Sequence, residues 1–425
     1  MDTIEVLGQA YRPRVIDAGL RRALGAAGAV VVEGARASGK TMTALHAAGS
    51  YAFIDDPATQ RILEIAPRSL LEGDAPRLLD EWQAAPELWN QVRRAVDGTT
   101  APGRFILTGS AVPTDDIVRH TGAGRFLRLR QRTMTWGEKL DITGPRVSIG
   151  GLFLGERPVA NMRAGMELGE VIDNILRPGF PAMTALGLEQ SADRLRAYID
   201  EVARTDIRRL ADVRHEPNVI KQLISGLARS VASDVTYKTL AADVATVAPT
   251  INVETISSYV GLLERLFIVE PQRPWTPNLR SRARLRTSPK LHLVDASLAA
   301  AALGAGSKRL FSDLETVGVL FESAVVHDLM VLASAIDGEV RHYRDSNGKE
   351  IDAIITLPDG RWGAVEVKLG GAQMLAGIQS LRAAIDQIDT DTVGQPAFRL
   401  VVTGTGPILT ADDSTIISPL SALVP

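Results

Sequence analysis

The sequence has no cysteine and only six histidines in 425 residues. The first absence excludes disulfide frameworks, thiolate nucleophiles and cysteine-based zinc sites. The second leaves little material for a histidine-rich metal site. A dominant charge is lacking too. Lysine and arginine number 47, aspartate and glutamate 50, for a formal net charge of −3. Whole-molecule charge therefore does not steer the protein to nucleic acid, and any nucleic-acid surface must be a local patch. Long apolar runs are also missing: a stretch such as Ala29–Val32 has strand length, well short of the roughly 20 residues that span a bilayer. The N-terminus, Met1-Asp2-Thr3-Ile4-Glu5-Val6, has neither the basic flank nor the apolar core of a secretory signal. A cytoplasmic protein with no membrane segment is expected. What remains is an ordinary globular balance, 45% hydrophobic and 23% charged, which excludes a mainly disordered or fibrous chain. At about 150 residues per domain, the length predicts two to four domains.

A short β-branched run, Ala29-Val-Val-Val-Glu33, is preceded by a helical pattern over 12–25. Gly34-Ala35-Arg36-Ala37-Ser38-Gly39-Lys40-Thr41 follows, then the helix-forming Met42-Thr-Ala-Leu-His-Ala-Ala. Strand, G-x-x-x-x-G-K-T and helix come in the order a phosphate loop requires. Its glycines let backbone N–H groups curl around phosphates, and the helix N-terminus adds its positive end. Lys40 is expected to reach the β- and γ-phosphates and Thr41 to ligate magnesium. Arg77-Leu-Leu-Asp80-Glu81 supplies an acidic pair at a strand end: Asp80 to hold magnesium through water, Glu81 to polarise the attacking water. Another strand, Arg104-Phe-Ile-Leu107, ends in Thr108-Gly-Ser110. Two readings stand for Thr108 and Ser110: sensing the γ-phosphate between loop and acids, or forming a turn. Two also stand for Arg125: an arginine finger on a neighbouring subunit's ATP, or a surface arginine.

These pieces together resemble the AAA-type ATPase module of a widespread prokaryotic family. In that family the ATPase is fused to a C-terminal domain similar to restriction endonucleases. The matching segments are Gly34–Thr41, Leu78-Leu-Asp-Glu-Trp-Gln83 with Pro86, Phe105–Ser110 and Gly124-Arg-Phe126. The resemblance covers about 12–145 and implies ATP binding and hydrolysis. Trp82 departs from it, since the family usually has a smaller aliphatic residue there.

Gly144-Pro145 and Gly150-Gly151 mark a boundary, after which a mostly helical stretch runs from about 165 to 232. Arg204, Arg208 and Arg209 have helical spacing and read as a solvated or salt-bridged face. Residues 235–275 read as helix, turn, helix, then an extended segment beginning at Phe267-Ile-Val269. This is similar to a winged helix-turn-helix, which the family carries here. Glu254 and Glu264 offset Arg265 on the second helix, so packing or a protein partner is favoured over base reading. Arg273, Arg280, Arg282, Arg284, Arg286 and Lys290 lie in a segment without an acid. In an extended strand Arg280, Arg282, Arg284 and Arg286 would point one way, as a phosphate track for DNA. A mobile basic loop, or a basic rim for a nucleotide or neighbouring subunit, is the other reading.

At 339–369, three strand-like runs are joined by Asn347-Gly348 and by Leu357-Pro-Asp-Gly-Arg361. A three-residue loop of 358–360 pairs Leu357 with Arg361. That register sets Asp352 opposite Glu366 and Glu350 opposite Lys368. Period two then puts these four on one face, with Ile351, Ala353, Ile355, Val365 and Val367 on the other. Two facing carboxylates repel, and a divalent cation between them relieves that. Oxygen ligands favour magnesium or manganese. A salt-bridge ladder, Glu350 with Lys368, is the alternative. Asp352 with Glu366-Val367-Lys368 also resembles the D…E-x-K core of restriction-endonuclease-like nucleases, over about 310–405. That resemblance implies that Asp352, Glu366 and the Val367 carbonyl bind metal and that Lys368 positions water. It also implies that Glu322 assists, with Gln379 in support.

The expected architecture is therefore α/β. An AAA-type P-loop parallel sheet occupies 1–145, a helical, winged-helix-like region 146–300, and a restriction-endonuclease-like α/β domain 301–425. The expected function is an ATP-dependent or ATP-regulated, Mg- or Mn-dependent DNA nuclease. A DNA- or protein-binding ATPase switch with an unused nuclease core is the alternative. DNA, a protein partner through the winged-helix region and a homo-oligomer are the expected partners.

Overall fold

The computed structural model describes residues 1–111, 124–140, 144–211, 216–276, 288–345 and 348–425. They form two compact units, one built from residues 1–133, 206–213 and 262–268, the other from 134–205, 214–261 and 269–425.

The first unit is organised by a parallel sheet of β1 (Ala29–Glu33), β2 (Ser50–Phe53), β3 (Arg77–Asp80), β4 (Phe105–Gly109) and β5 (Phe126–Arg130). Their spatial order is β2-β3-β4-β1-β5. The pleat explains why β1 reads as an unbroken apolar run. Val30 and Val32 pack on one face with Leu20 and Ala23 of α1 (Ile16–Ala26) and Ala44 and Leu45 of α2 (Lys40–Ala47). Ala29 and Val31 pack on the other with Trp89 and Val92 of α3 (Leu88–Asp97). Both faces are covered, as parallel sheets require. With β4 between β1 and β3, the chain leaves all three strands at one end of the sheet. Open α/β sheets bind their ligands at that end.

The helical part of the second unit includes α4 (Leu168–Leu176) and α5 (Leu188–Glu201), followed by a single π turn over Val202–Asp206. Further along come α6 (Pro217–Arg229), α7 (Tyr237–Val244) and α8 (Val253–Arg265), whose residues from 262 onward belong to the first unit. An antiparallel ribbon pairs β6 (Val269–Gln272) with β7 (Lys290–Leu293). Both helices and the extended segment β6 arrive where 235–275 predicts them, and the partner strand β7 comes from further along the chain. A wing that touches DNA is exposed, whereas all four residues of β7 are buried. Lys290 thereby leaves the arginine row: it is 3% exposed. Arg280, Arg282, Arg284 and Arg286 lie outside the described residues. The expected break at 300/301 falls inside the buried α9 (Ala296–Ala302) rather than in a linker.

The rest of this unit is a six-stranded mixed sheet of β8 (Glu339–Arg344), β9 (Glu350–Thr356), β10 (Trp362–Gly370), β11 (Phe398–Thr405), β12 (Leu409–Thr410) and β13 (Ile416–Pro419). The order is β12-β13-β11-β10-β9-β8. Helix α10 (Leu314–Ser334) runs against β8 and β10, and α11 (Met374–Ile385) connects the parallel pair β10 and β11. α10 corrects the reading that no segment approaches membrane length. Its 21 residues, with a mean hydropathy of 1.6 over the most apolar stretch, are long and apolar enough to cross a bilayer, yet 72% of that stretch is buried in the protein. Glu322, His327 and Asp328 interrupt the run and hid its length.

Candidate functional site

The loop from Gly34 to Gly39 leaves the C-terminal end of β1 and enters α2 at Lys40. Gly39 caps the helix at φ +95°, a left-handed conformation natural to glycine. Gly34 is required for a different reason: a Cβ there would stand 2.1 Å from the carbonyl oxygen of Gln131. Gly34→Ala should therefore cost about 1–3 kcal/mol of stability. An unchanged unfolding temperature together with unchanged nucleotide binding would count against this contact. Ser38 is fully buried, and its hydroxyl has no hydrogen-bond partner among the described residues. Its carbonyl accepts from Arg14 Nη1 at 3.1 Å and Gln131 Nε2 at 3.2 Å. An orphaned hydroxyl in a braced loop suits an anionic ligand. Lys40 is 4% exposed and donates to the loop's own Ala35 carbonyl at 2.9 Å. Burial pushes its ammonium below the ordinary lysine range, against the pull of Glu81 and Asp80.

Asp80 ends β3 opposite this loop. Thr41 Oγ1 donates to its Oδ2 at 3.1 Å, and Thr108 Oγ1 donates to its Oδ1. Burial raises Asp80 to about 6, despite those hydrogen bonds. The Thr41 hydroxyl and Asp80 carboxylate thus converge, as the holders of a nucleotide's magnesium must. Glu81 follows in a left-handed conformation, φ 54° and ψ 44°, rare for a residue with a Cβ and a common mark of functional strain. Its N–H donates to Thr108 Oγ1 at 3.0 Å. Its Oε2 accepts from Ser110 Oγ at 3.0 Å and from Gln83 Nε2. Thr108 and Ser110 therefore hold the acidic pair, which a simple turn would not do. Trp82, the departure from the resemblance, is 3% exposed, its ring 5.0 Å from that of Trp89.

A second polar cluster lies in the C-terminal sheet. β9 and β10 pair in the predicted register from Ala353↔Val365 to Thr356↔Trp362, and Leu357 N donates to Arg361 O at 2.9 Å across the turn. The ladder opens at Asp352. Its Oδ2 accepts from Val367 N at 2.8 Å, replacing a backbone bond. A bulge interrupts the pairing of β9 with β8 between Ile351 and Ile354. Strict period two fails there: Ile351 packs in the same cluster as Ile354, Trp362 and Ala364 instead of facing away. Glu366 is 3% exposed and accepts from Lys368 Nζ at 2.7 Å through Oε1. Its Oε2 is buried without a well-formed hydrogen bond among the described residues. Ser380 on α11, exposed like its neighbour Gln379, faces this carboxylate.

The predicted pairing of Glu350 with Lys368 is not formed. Glu350 Oε1 lies 2.6 Å from Lys290 Nζ, which also reaches Glu322 Oε1 at 3.0 Å. The salt-bridge ladder is thus replaced by two separate lysine grips. Burial and the Asp352 charge push Glu322 up to about 8 and Glu366 up to about 7. Burial likewise raises Asp352, against the attraction of Lys290. Burial opposes the Lys290 charge, but Glu322 and Glu350 hold its ammonium above the ordinary lysine value. Among the described residues, no three His, Cys, Asp or Glu side chains are grouped as metal ligands. The predicted set is smaller, two carboxylates and a carbonyl. Its chemistry fits a hard divalent cation, with Glu366 Oε2 making no well-formed hydrogen bond among the described residues.

Residues 26–140 match the family described as an AAA domain. The first unit carries an AAA-type ATPase domain. Residues 169–309 and 317–423 match two families described as domains of unknown function, DUF8612 and DUF4143. Over 385 residues, the chain is 26% identical to an uncharacterised protein of Mycobacterium bovis and to one of Mycobacterium tuberculosis, covering 86% of this chain and 75% of each. Among solved structures it is similar to a Walker-type ATPase of Pyrococcus abyssi, at 11% identity and a TM-score of 0.39, over 69% of this chain and 96% of that one.

Within the ATPase domain, Arg125 is not near the chain's own phosphate loop. It precedes Phe126, which pairs with Ala29 at the start of β1, so it lies at the far end of the sheet, ion-paired with Asp97. Arg36 extends from the loop to Asp206, 3.2 Å away, and Arg209 approaches the same carboxylate at 4.0 Å. Of the predicted arginine face, Arg209 makes such a contact. Sequence reading did not single out Arg14, Gln131 or the role of Lys290. Arg14 and Gln131 belong to no motif, and Lys290 was grouped with the arginines that precede it.

The raised carboxylates carry a sign. Between about pH 4.5 and the folded values of about 7 and 8, the folded protein binds more protons than the unfolded chain. Stability from these groups therefore falls as pH rises through that window. In chelator, the unfolding temperature should drop more steeply from pH 5 to pH 8 in the parent protein than in Glu366→Gln. Parallel profiles would show that Glu366 does not titrate as described.

Proposed function

We propose that this chain is an ATP-regulated, magnesium- or manganese-dependent DNA nuclease, in which the ATPase domain governs a phosphodiesterase site in the C-terminal sheet. The observation that carries the reading is the opening of the ladder at Asp352 beside Glu366 and Lys368, with a buried Glu366 oxygen that makes no well-formed hydrogen bond among the described residues. Asp352, Glu366 and the Val367 carbonyl would hold the cation, which supplies Lewis-acid stabilisation of charge on a scissile phosphate. Lys368, gripped by Glu366, orients the attacking water and offsets developing negative charge. Glu322 bounds the far side of the cluster. In the ATPase domain, Lys40 binds the phosphates, Thr41 and Asp80 hold magnesium, and Glu81 activates water. Arg125 acts only if a second copy presents it.

A second reading, a DNA- or protein-binding ATPase switch with an unused nuclease core, draws on Lys290, whose ammonium already neutralises part of the acidic cluster. Incubating linear and circular DNA with the protein separates the two. The conditions are magnesium, manganese or chelator, with and without ATP, alongside Lys40→Ala and Glu366→Ala. Metal-dependent cleavage that Glu366→Ala abolishes and Lys40→Ala deregulates supports the nuclease. ATP hydrolysis without cleavage under every condition supports the switch.

A further inference from the structure

We propose that Lys290 is a built-in cation that fills one side of the C-terminal acidic cluster and limits the site to a single divalent ion. The inference rests on the phosphodiesterase reading of that cluster and adds a residue that sets its metal count.

Glu322, Glu350, Asp352 and Glu366 are four carboxylates within electrostatic reach of the ammoniums of Lys290 or Lys368. Fully ionised, the group keeps two uncompensated negative charges, which one divalent ion neutralises. The two lysines divide the work unequally. Lys368 Nζ donates to Glu366 Oε1, and Glu366 Oε2 has no well-formed hydrogen bond among the described residues. Lys290 binds Glu322 and Glu350 at once, at 3.0 and 2.6 Å, and is 3% exposed.

Lys290 is also fixed from behind. It sits on β7 in register with Gln272 of β6, and Gln272 Nε2 donates to the Asp352 carbonyl at 2.8 Å. The strand that carries the ammonium is thus tied to the strand that carries Asp352. A tethered ammonium on Glu322 Oε1 and Glu350 Oε1 supplies on that side of the cluster the positive charge that a second divalent ion would otherwise bring. The side left for an ion is the one bounded by Asp352 and Glu366.

The test counts bound manganese by electron paramagnetic resonance on the nucleotide-free, full-length protein. The parent should bind one Mn2+ per chain and Glu366→Gln none. Lys290→Met should bind two, with the spectral broadening of a coupled pair, while Lys290→Arg should stay at one. Lys290→Met should also lose thermal stability in chelator and regain it in Mn2+, by a larger shift than the parent shows. One ion in both parent and Lys290→Met overturns the role of Lys290 and leaves the metal site standing. No ion in the parent overturns the phosphodiesterase reading and this inference with it. A Lys290→Met protein that stays unfolded in chelator and in Mn2+ alike also counts against the proposal.

Discussion

Glu81→Gln should slow ATP hydrolysis by about 10²–10⁴-fold while leaving ATP bound, the size of effect expected when a general base is lost. The amide matches the carboxylate in shape and can still lie against Ser110, but it cannot draw a proton from water. The environment of Glu81 makes the expectation sharp. Its backbone is held left-handed, its N–H is anchored on Thr108, and its carboxylate is gripped by Ser110 and Gln83. Lys40→Ala should behave differently and weaken nucleotide binding itself, because its amine is already poised in the loop on the Ala35 carbonyl. Phosphate release measured beside binding of a fluorescent ATP analogue separates the two. Hydrolysis within about threefold of the parent in Glu81→Gln would remove this residue from the mechanism.

The second large effect is expected at the other site. Lys368→Ala should reduce DNA cleavage by about 10²–10³-fold, as for loss of one preorganised charge beside a reacting group. The ammonium is held by Glu366 Oε1 at 2.7 Å, so its position does not depend on substrate. Gly377 of α11 preserves that placement, because a Cβ there would come within 3.1 Å of the Lys368 side chain. Cleavage of linear DNA in saturating magnesium checks the effect. ATP hydrolysis by the same variant should be unchanged, which guards against a folding defect. Cleavage at the parent rate would exclude this active site.

Much of the first unit was legible because its signals are local. The β-branched run, the glycines and the acidic strand end each fix their own backbone, and the sheet order then brings Lys40, Asp80 and Thr108 together. The hairpin register at 353–365 was legible for the same reason, since a Pro-Asp-Gly turn sets the pairing that follows it. What failed was the part decided by distant chain. The bulge near Asp352 breaks a parity that the turn alone would preserve. Lys290 could be read only as one more basic residue, because nothing local says that its partners lie on α10 and β9. The length of α10 was hidden by polar residues that are satisfied or functional only in the folded protein, such as Asp328, which accepts from Trp136 N at 2.8 Å.

The division of the chain has a practical consequence. Residues 206–213 and 262–268 belong to the first unit, so the backbone passes between the units at five separate junctions. Arg130 shows what a short fragment would lack: its guanidinium lies 4.9 Å from the ring centre of Phe267. A recombinant piece ending near residue 140 would expose that arginine and lose Asp206, the partner of Arg36. No single protease nick can release the ATPase unit whole, and an inactive N-terminal fragment would report a torn fold rather than a dead enzyme.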